Sequence, residues 1–138
     1  MLFILLFLSI FFVFIPTIIY PPAHKMLRDN VAYISLIIFA ITLAIISGLL
    51  FNSSLTETEK INSLISLSPI TFLILYRQFD KISIEKHNRH IYFTMRYGNY
   101  WSDQESAEAT WSEWYLQMSL FFIPLFWAGI GILMFNID

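Results

Sequence analysis

Four long apolar blocks, separated by links rich in polar residues or proline, leave this chain few ways to fold. They run from Leu2 to Tyr20, Val31 to Phe51, Ile61 to Tyr76 and Leu116 to Phe135, within 138 residues. A soluble domain distributes its apolar residues at the period of a half-buried helix or strand, whereas here they are contiguous. A helix rises about 1.5 Å per residue and needs about 20 residues to cross the hydrocarbon of a bilayer. Composition agrees: 57% of the residues are apolar and 13% charged, against roughly 45–50% and about 25% in a typical soluble domain. The pattern predicts an all-α, polytopic integral membrane protein. A single membrane domain forms a bundle of four transmembrane helices, with one polar loop, 77–115, between the third and fourth.

The first block has no basic segment ahead of it and no small-residue cleavage pattern, so it reads as a retained helix and not a signal peptide. Pro21 and Pro22 end it, since proline donates no hydrogen bond and disfavours helix in the residue before it. In the second block Ala40, Ala44 and Gly48 recur every four residues. That spacing aligns three small residues on one face, a seam for close helix packing. On that reading Gly48→Leu disturbs assembly more than Leu50→Ala does.

Ser54 with Glu57 fits a capping box, which predicts a helix from near Leu55. The third block carries Asn62, Ser63, Ser66, Ser68 and Pro69. Its hydroxyls favour helix neighbours over lipid, so it belongs inside the bundle, kinked at Pro69. Pro124 is expected to bend the fourth block, and Ala128, Gly129 and Gly131 offer a second close-packing patch. Ser102 with Glu105 predicts a lead-in helix from about Asp103, and the residues around Ile91 to Tyr97 read as an extended segment ending in a turn.

Lysine and arginine accumulate on cytoplasmic loops. Of the eight here, Lys25 and Arg28 lie in the first link and Arg77, Lys81, Lys86, Arg89 and Arg96 in the third, leaving Lys60 alone in the second. That split places links 23–30 and 77–115 in the cytoplasm and both termini outside, in the inner membrane if the source is bacterial. Tyr20, Tyr33, Tyr76, Trp111, Trp114 and Tyr115 stand at the block ends facing the basic links, as an aromatic anchor belt would.

The composition also limits function. A net charge of −2 offers no surface for nucleic acid, and the absence of cysteine removes thiolate chemistry. No block contains Asp, Glu, Lys, Arg or His, which disfavours proton relays, ion-coupled carriers and voltage sensors. Glu85, His87 and His90 form the one polar constellation with chemical promise, and Asp80 could add a carboxylate. Two histidines fall short of a closed metal site, and no HExxH pattern occurs, so neither a metal nor any other cofactor is expected. The basic residues Arg77, Lys81, Lys86, Arg89 and Arg96 suit anionic headgroups or a protein partner.

The leading expectation is a non-catalytic protein that acts by contact with another membrane protein, as an accessory subunit or a protective, immunity-type factor, or by self-association. An oligomeric pore or transporter subunit lined by Ser63, Ser66 and Thr71 is the first alternative. An enzyme acting on lipid headgroups through His87, Arg89 and His90 is the second.

Overall fold

A computed structural model describes residues 2–16, 21–52, 54–91 and 110–135, with the backbone alone for residues 21, 22 and 24. Arg96, Tyr20, the Ser102–Glu105 capping box and most of the extended segment after Ile91 lie outside the described residues. Among the described residues there is no strand, so the all-α expectation stands. The described residues form six α-helices in order: α1 (Leu2–Phe14), α2 (Asn30–Leu50), α3 (Glu57–Ile65), α4 (Ser68–His87), α5 (Trp111–Phe121) and α6 (Ile123–Phe135). A 3₁₀ segment, Pro21–Arg28, precedes α2.

The second block maps onto α2 almost residue for residue. Its N-cap is Asp29, whose side chain accepts from the Val31 N–H. α2 is the one described helix long and apolar enough to cross a membrane alone; α5 and α6 pass together, as a pair bent by 46°.

The third block is broken where a kink was expected. α3 ends at Ile65, and Ser66 and Leu67 donate their N–H groups to Ser63 and Leu64 in tight three-residue turns. Pro69 then sits in the first turn of α4, where its missing N–H costs nothing. The Ile65 carbonyl, which Pro69 cannot serve, accepts from the Ser68 hydroxyl, while the Ser66 and Thr71 hydroxyls add second bonds to the Ser63 and Leu67 carbonyls. The start of α3 also differs from the expectation. Its N-cap is Thr56, in a capping box with Glu59, while Ser54 belongs to the preceding turn, its N–H and hydroxyl both donating to Asn52 Oδ1. At its far end α4 runs on to His87, so the first eleven residues assigned to the polar loop are helical.

α3 packs between α1 and α6, and α4 lies against α1, α2, α5 and α6. Ser63, Ser66 and Ser68 are buried, as the hydroxyl content of the third block predicted. Val13, Ala40, Phe72, Leu73, Tyr76, Leu120 and Ile123 belong to the main core, and Leu2, Leu5 and Leu43 form a smaller one.

The exterior is unusual. Large aliphatic and aromatic side chains on α1, α2 and α6 point outward, with Leu49 81% and Leu133 80% exposed. Ser9, Ser47, Ser83, Asp80, Glu113 and Gln117 point inward.

The small-residue seam follows this geometry only in part. Ala40 is fully buried, Ala44 half-buried and Gly48 exposed, and a Cβ at Gly48 would meet nothing within 4 Å. The buried stripe of α2 is Tyr33, Ala40, Leu43 and Ser47. The close approach occurs at Gly131 on α6, where a Cβ would lie 2.9 Å from Ile61 Cγ1.

Candidate functional site

The polar residues singled out in the sequence converge where α4 ends and α5 begins. α4 stops because Asn88 adopts the left-handed conformation (φ 53°), its N–H donating to the Ile84 carbonyl. Asparagine tolerates that conformation better than most residues, and it ends helices for that reason. The reversal turns residues 89–91 back along α4 and out of the helical spacing that would have stacked His90 on His87.

His90 therefore meets α4 higher up. Its Nδ1 lies 2.9 Å from Asp80 Oδ2, while Asp80 Oδ1 accepts from the Ile91 N–H at 2.9 Å. Arg28, at the end of the 3₁₀ segment, donates to the Ile91 carbonyl at 2.8 Å. Ile91 is buried, with both its backbone polar groups satisfied by side chains. Asp80 and Arg28 thus act as two jaws on the peptide that follows α4.

Arg89 makes the second tie. Its Nε and Nη2 donate to the two carboxylate oxygens of Glu113, both at 2.8 Å, the bidentate geometry that favours arginine over lysine. Glu113 also closes a capping box at the start of α5, with Oε2 accepting from the Thr110 N–H and hydroxyl. Burial works against its charged form. The hydrogen bonds from Arg89 and Thr110 and the arginine charge outweigh that, and hold the carboxyl below its ordinary value of 4.5. Glu113 stands three residues ahead of the apolar block that opens at Leu116.

The remaining candidates are dispersed. His87 Nε2 is hydrogen-bonded to Ser112 Oγ at 2.8 Å, and Glu85 lies 3.9 Å from Lys81 on the exposed side of α4. Glu85, His87 and His90 thus have three different partners and form no common site. Among the described residues no group of three or more histidines and carboxylates could hold a metal ion. Of the basic residues, Arg77, Lys81 and Lys86 are exposed. Arg77 donates to Asn30 Oδ1 at 2.7 Å and lies over the Tyr33 ring, 4.1 Å from its centroid.

The aromatic belt divides likewise. Tyr33 and Tyr76 are core residues, the Tyr33 hydroxyl donating to the Leu73 carbonyl at 2.9 Å. Trp111, Trp114 and Tyr115 are exposed on one end of α5.

Sequence reasoning passed over Glu113 and Thr110 as a joint, although Thr110 and Glu113 have the spacing of a capping box just ahead of an apolar block. No local signal announces the pairing of Arg89 with Glu113, since 24 residues separate them. No protein-family model, curated protein or solved structure matches the chain.

Proposed function

We propose that this chain is a small integral membrane protein whose four apolar blocks each cross the bilayer, and that it acts without catalysis, by contact with another membrane protein. The observation that carries the membrane reading is the inverted distribution of side chains. Serines, a glutamine and two carboxylates face inward, while leucine, isoleucine and phenylalanine face outward on α1, α2 and α6. In water that exterior would be a large apolar surface driving association; in lipid it is solvated. Short hydrogen bonds between helices suit the same setting, as between Ser47 and Ser63 (Oγ to Oγ 2.7 Å) and from Trp127 Nε1 to Thr71 Oγ1 at 3.0 Å.

The interaction role is supported by what the polar residues do. Asp80, His87, Arg89, His90 and Glu113 each tie one element of the chain to another. That work is structural, and it favours a scaffold over a reactive centre. Ser63 and Ser66 are buried within one chain and Thr71 holds Trp127, which makes a pore between identical subunits the lesser reading. In this reading the basic links 23–30 and 77–115 face the cytoplasm and both termini lie on the opposite side. Lys81 and Lys86 are the exposed cations best placed for anionic headgroups or a partner's carboxylates.

Isolation of the tagged chain from its native membrane in mild detergent tests the proposal. A second membrane protein in fixed ratio is the expected result. A ring of identical chains would replace it with the pore, and phospholipid turnover lost in His90→Ala with an intact fold would replace it with an enzyme.

A further inference from the structure

The fourth apolar block holds two helices with different surfaces, and only α6 exposes apolar side chains alone. α2 sets the scale. Its 21 residues span about 32 Å, close to the roughly 30 Å hydrocarbon of a bilayer, so its first residue, Asn30, marks one boundary. Arg77 reaches that residue, which sets the boundary on α4 near Arg77. The ten residues of α4 beyond it, as far as His87, project further by about 15 Å. Their exposed residues include Gln78, Lys81, Glu85 and Lys86 with Ile84 among them, a mixed surface suited to the headgroup layer and the water beside it.

α5 packs along this projecting half, held by His87 to Ser112 and Arg89 to Glu113. α6 begins beside the early turns of α4, as the contact of Trp127 with Thr71 requires. The 46° bend between the two helices therefore falls near the boundary. α5 turns Glu113 and Gln117 inward, Glu113 onto Arg89, and leaves Trp111 76%, Trp114 40% and Tyr115 62% exposed. The three rings touch edge to face in one patch, with centroids 6.0 and 5.5 Å apart. The patch continues through Phe122 into the exposed apolar face of α6 at Leu125 and Phe126.

Resting on the membrane reading above, we infer that α5 does not cross the bilayer but lies in its headgroup layer, with Trp111, Trp114 and Tyr115 as the surface that contacts lipid. Rings with an apolar body and a polar edge settle at that depth. No charged residue is exposed on α5, and its two outward serines are engaged, Ser112 with His87 and Ser119 with the Tyr115 carbonyl. Continuity with the apolar side of α6 makes lipid the occupant, in preference to a second protein.

Fluorescence quenching in vesicles of phosphatidylcholine and phosphatidylglycerol separates the possibilities. Variants keep a single tryptophan, at position 111 or 114, with the others replaced by phenylalanine. Ile41→Trp in a chain without other tryptophans reports on the exposed middle of α2. Trp111 and Trp114 should be quenched more by a shallow nitroxide lipid than by a deep one, and Ile41→Trp the reverse. If Ile41→Trp responds to neither lipid, the membrane reading itself falls, and this inference with it.

If Ile41→Trp responds as expected, three results overturn the placement of α5 alone. They are stronger quenching of Trp114 by the deep lipid, quenching of Trp114 by aqueous iodide alone, and quenching by neither, which would mean a protein cover. A spin label at Tyr115→Cys, in a chain that keeps all its tryptophans, gives the same depth should the single-tryptophan chains fail to fold. Oxygen and a water-soluble nickel chelate should both reach it in part, as they do at a headgroup boundary. Relaxation by nickel alone or by oxygen alone would contradict the inference.

Discussion

Where α3 meets α2 and α6, hydroxyls and a glycine make the inner contacts, with Lys60 over the Phe135 ring beside them; where the end of α4 meets α5, an ion pair makes the main one, with His87 and Ser112 beside it. Ser47 and Ser63 exchange hydrogen bonds across the first junction, and Gly131 lets α6 approach Ile61. Arg89 and Glu113 close the second, with Asp80, His90 and Arg28 around Ile91 beside it. The difference follows the cost of burying each kind of group. A hydroxyl loses little on leaving water if it finds a carbonyl, whereas an ion loses several kcal/mol unless it is paired and stays near solvent. Arg89 keeps about a quarter of its side chain exposed. The neutral junction belongs to the depth of the apolar blocks, and the charged one to their polar margin.

The largest effect should come from removing half of the charged joint. Arg89→Ala leaves the buried Glu113 carboxylate without its cation and is expected to cost about 3 kcal/mol, the low end for a broken buried pair because arginine is part-exposed. Thermal unfolding in detergent measures it, and protease cleavage between α4 and α5 should increase. The folded value of Glu113 lies below the unfolded one. Its contribution is therefore complete above the ordinary value of 4.5 and is lost as pH falls through the depressed folded value. Glu113→Gln should remove that acid-sensitive part of the stability curve.

The neutral junction should respond to volume and not to pH. Gly131→Ala places a methyl against Ile61 and should destabilise by about 1–3 kcal/mol. Gly48→Ala meets open space, and should leave stability unchanged or raise it by up to about 1 kcal/mol through helix propensity. Equal losses at the two glycines would mean that Gly48 packs on another chain, restoring the seam of Ala40, Ala44 and Gly48 as a contact between molecules. The smallest effect is expected for the serine pair. A double-mutant cycle of Ser47→Ala and Ser63→Ala should give a coupling of about 0.6 kcal/mol, the average for such bonds between membrane helices. A coupling as large as that of Arg89 with Glu113 would erase the distinction between the two junctions.

How far the fold was legible depended on which physical effect governed each element. Hydropathy places α2 to within a residue because one unbroken apolar run between Asn30 and Asn52 sets both its composition and its length. It could not place the break at Ser66 and Leu67, since proline reads equally as a kink or as the first turn of a new helix. Two overlapping capping boxes, Ser54 with Glu57 and Thr56 with Glu59, were equally good by pattern. Thr56 is the cap, and Ser54 stays in the turn ahead of it, held by Asn52. The site was legible as a set of residues and illegible as an arrangement. A single left-handed asparagine, Asn88, separates His87 from His90, and the partners that then meet them, Ser112 and Asp80, lie 25 and 10 residues away.

The central claim is that the apolar blocks cross a bilayer, with the charged joint on one side and the termini on the other. Because the chain has no cysteine, single cysteines in sealed vesicles of known orientation report on it directly. Cysteines at Glu57 and Asn136 should react with an impermeant thiol reagent from the outer side, and cysteines at Lys86 and Glu105 only after the membrane is permeabilised. Reaction of the Lys86 and Asn136 positions from the same side, or of all four without permeabilisation, would contradict the account.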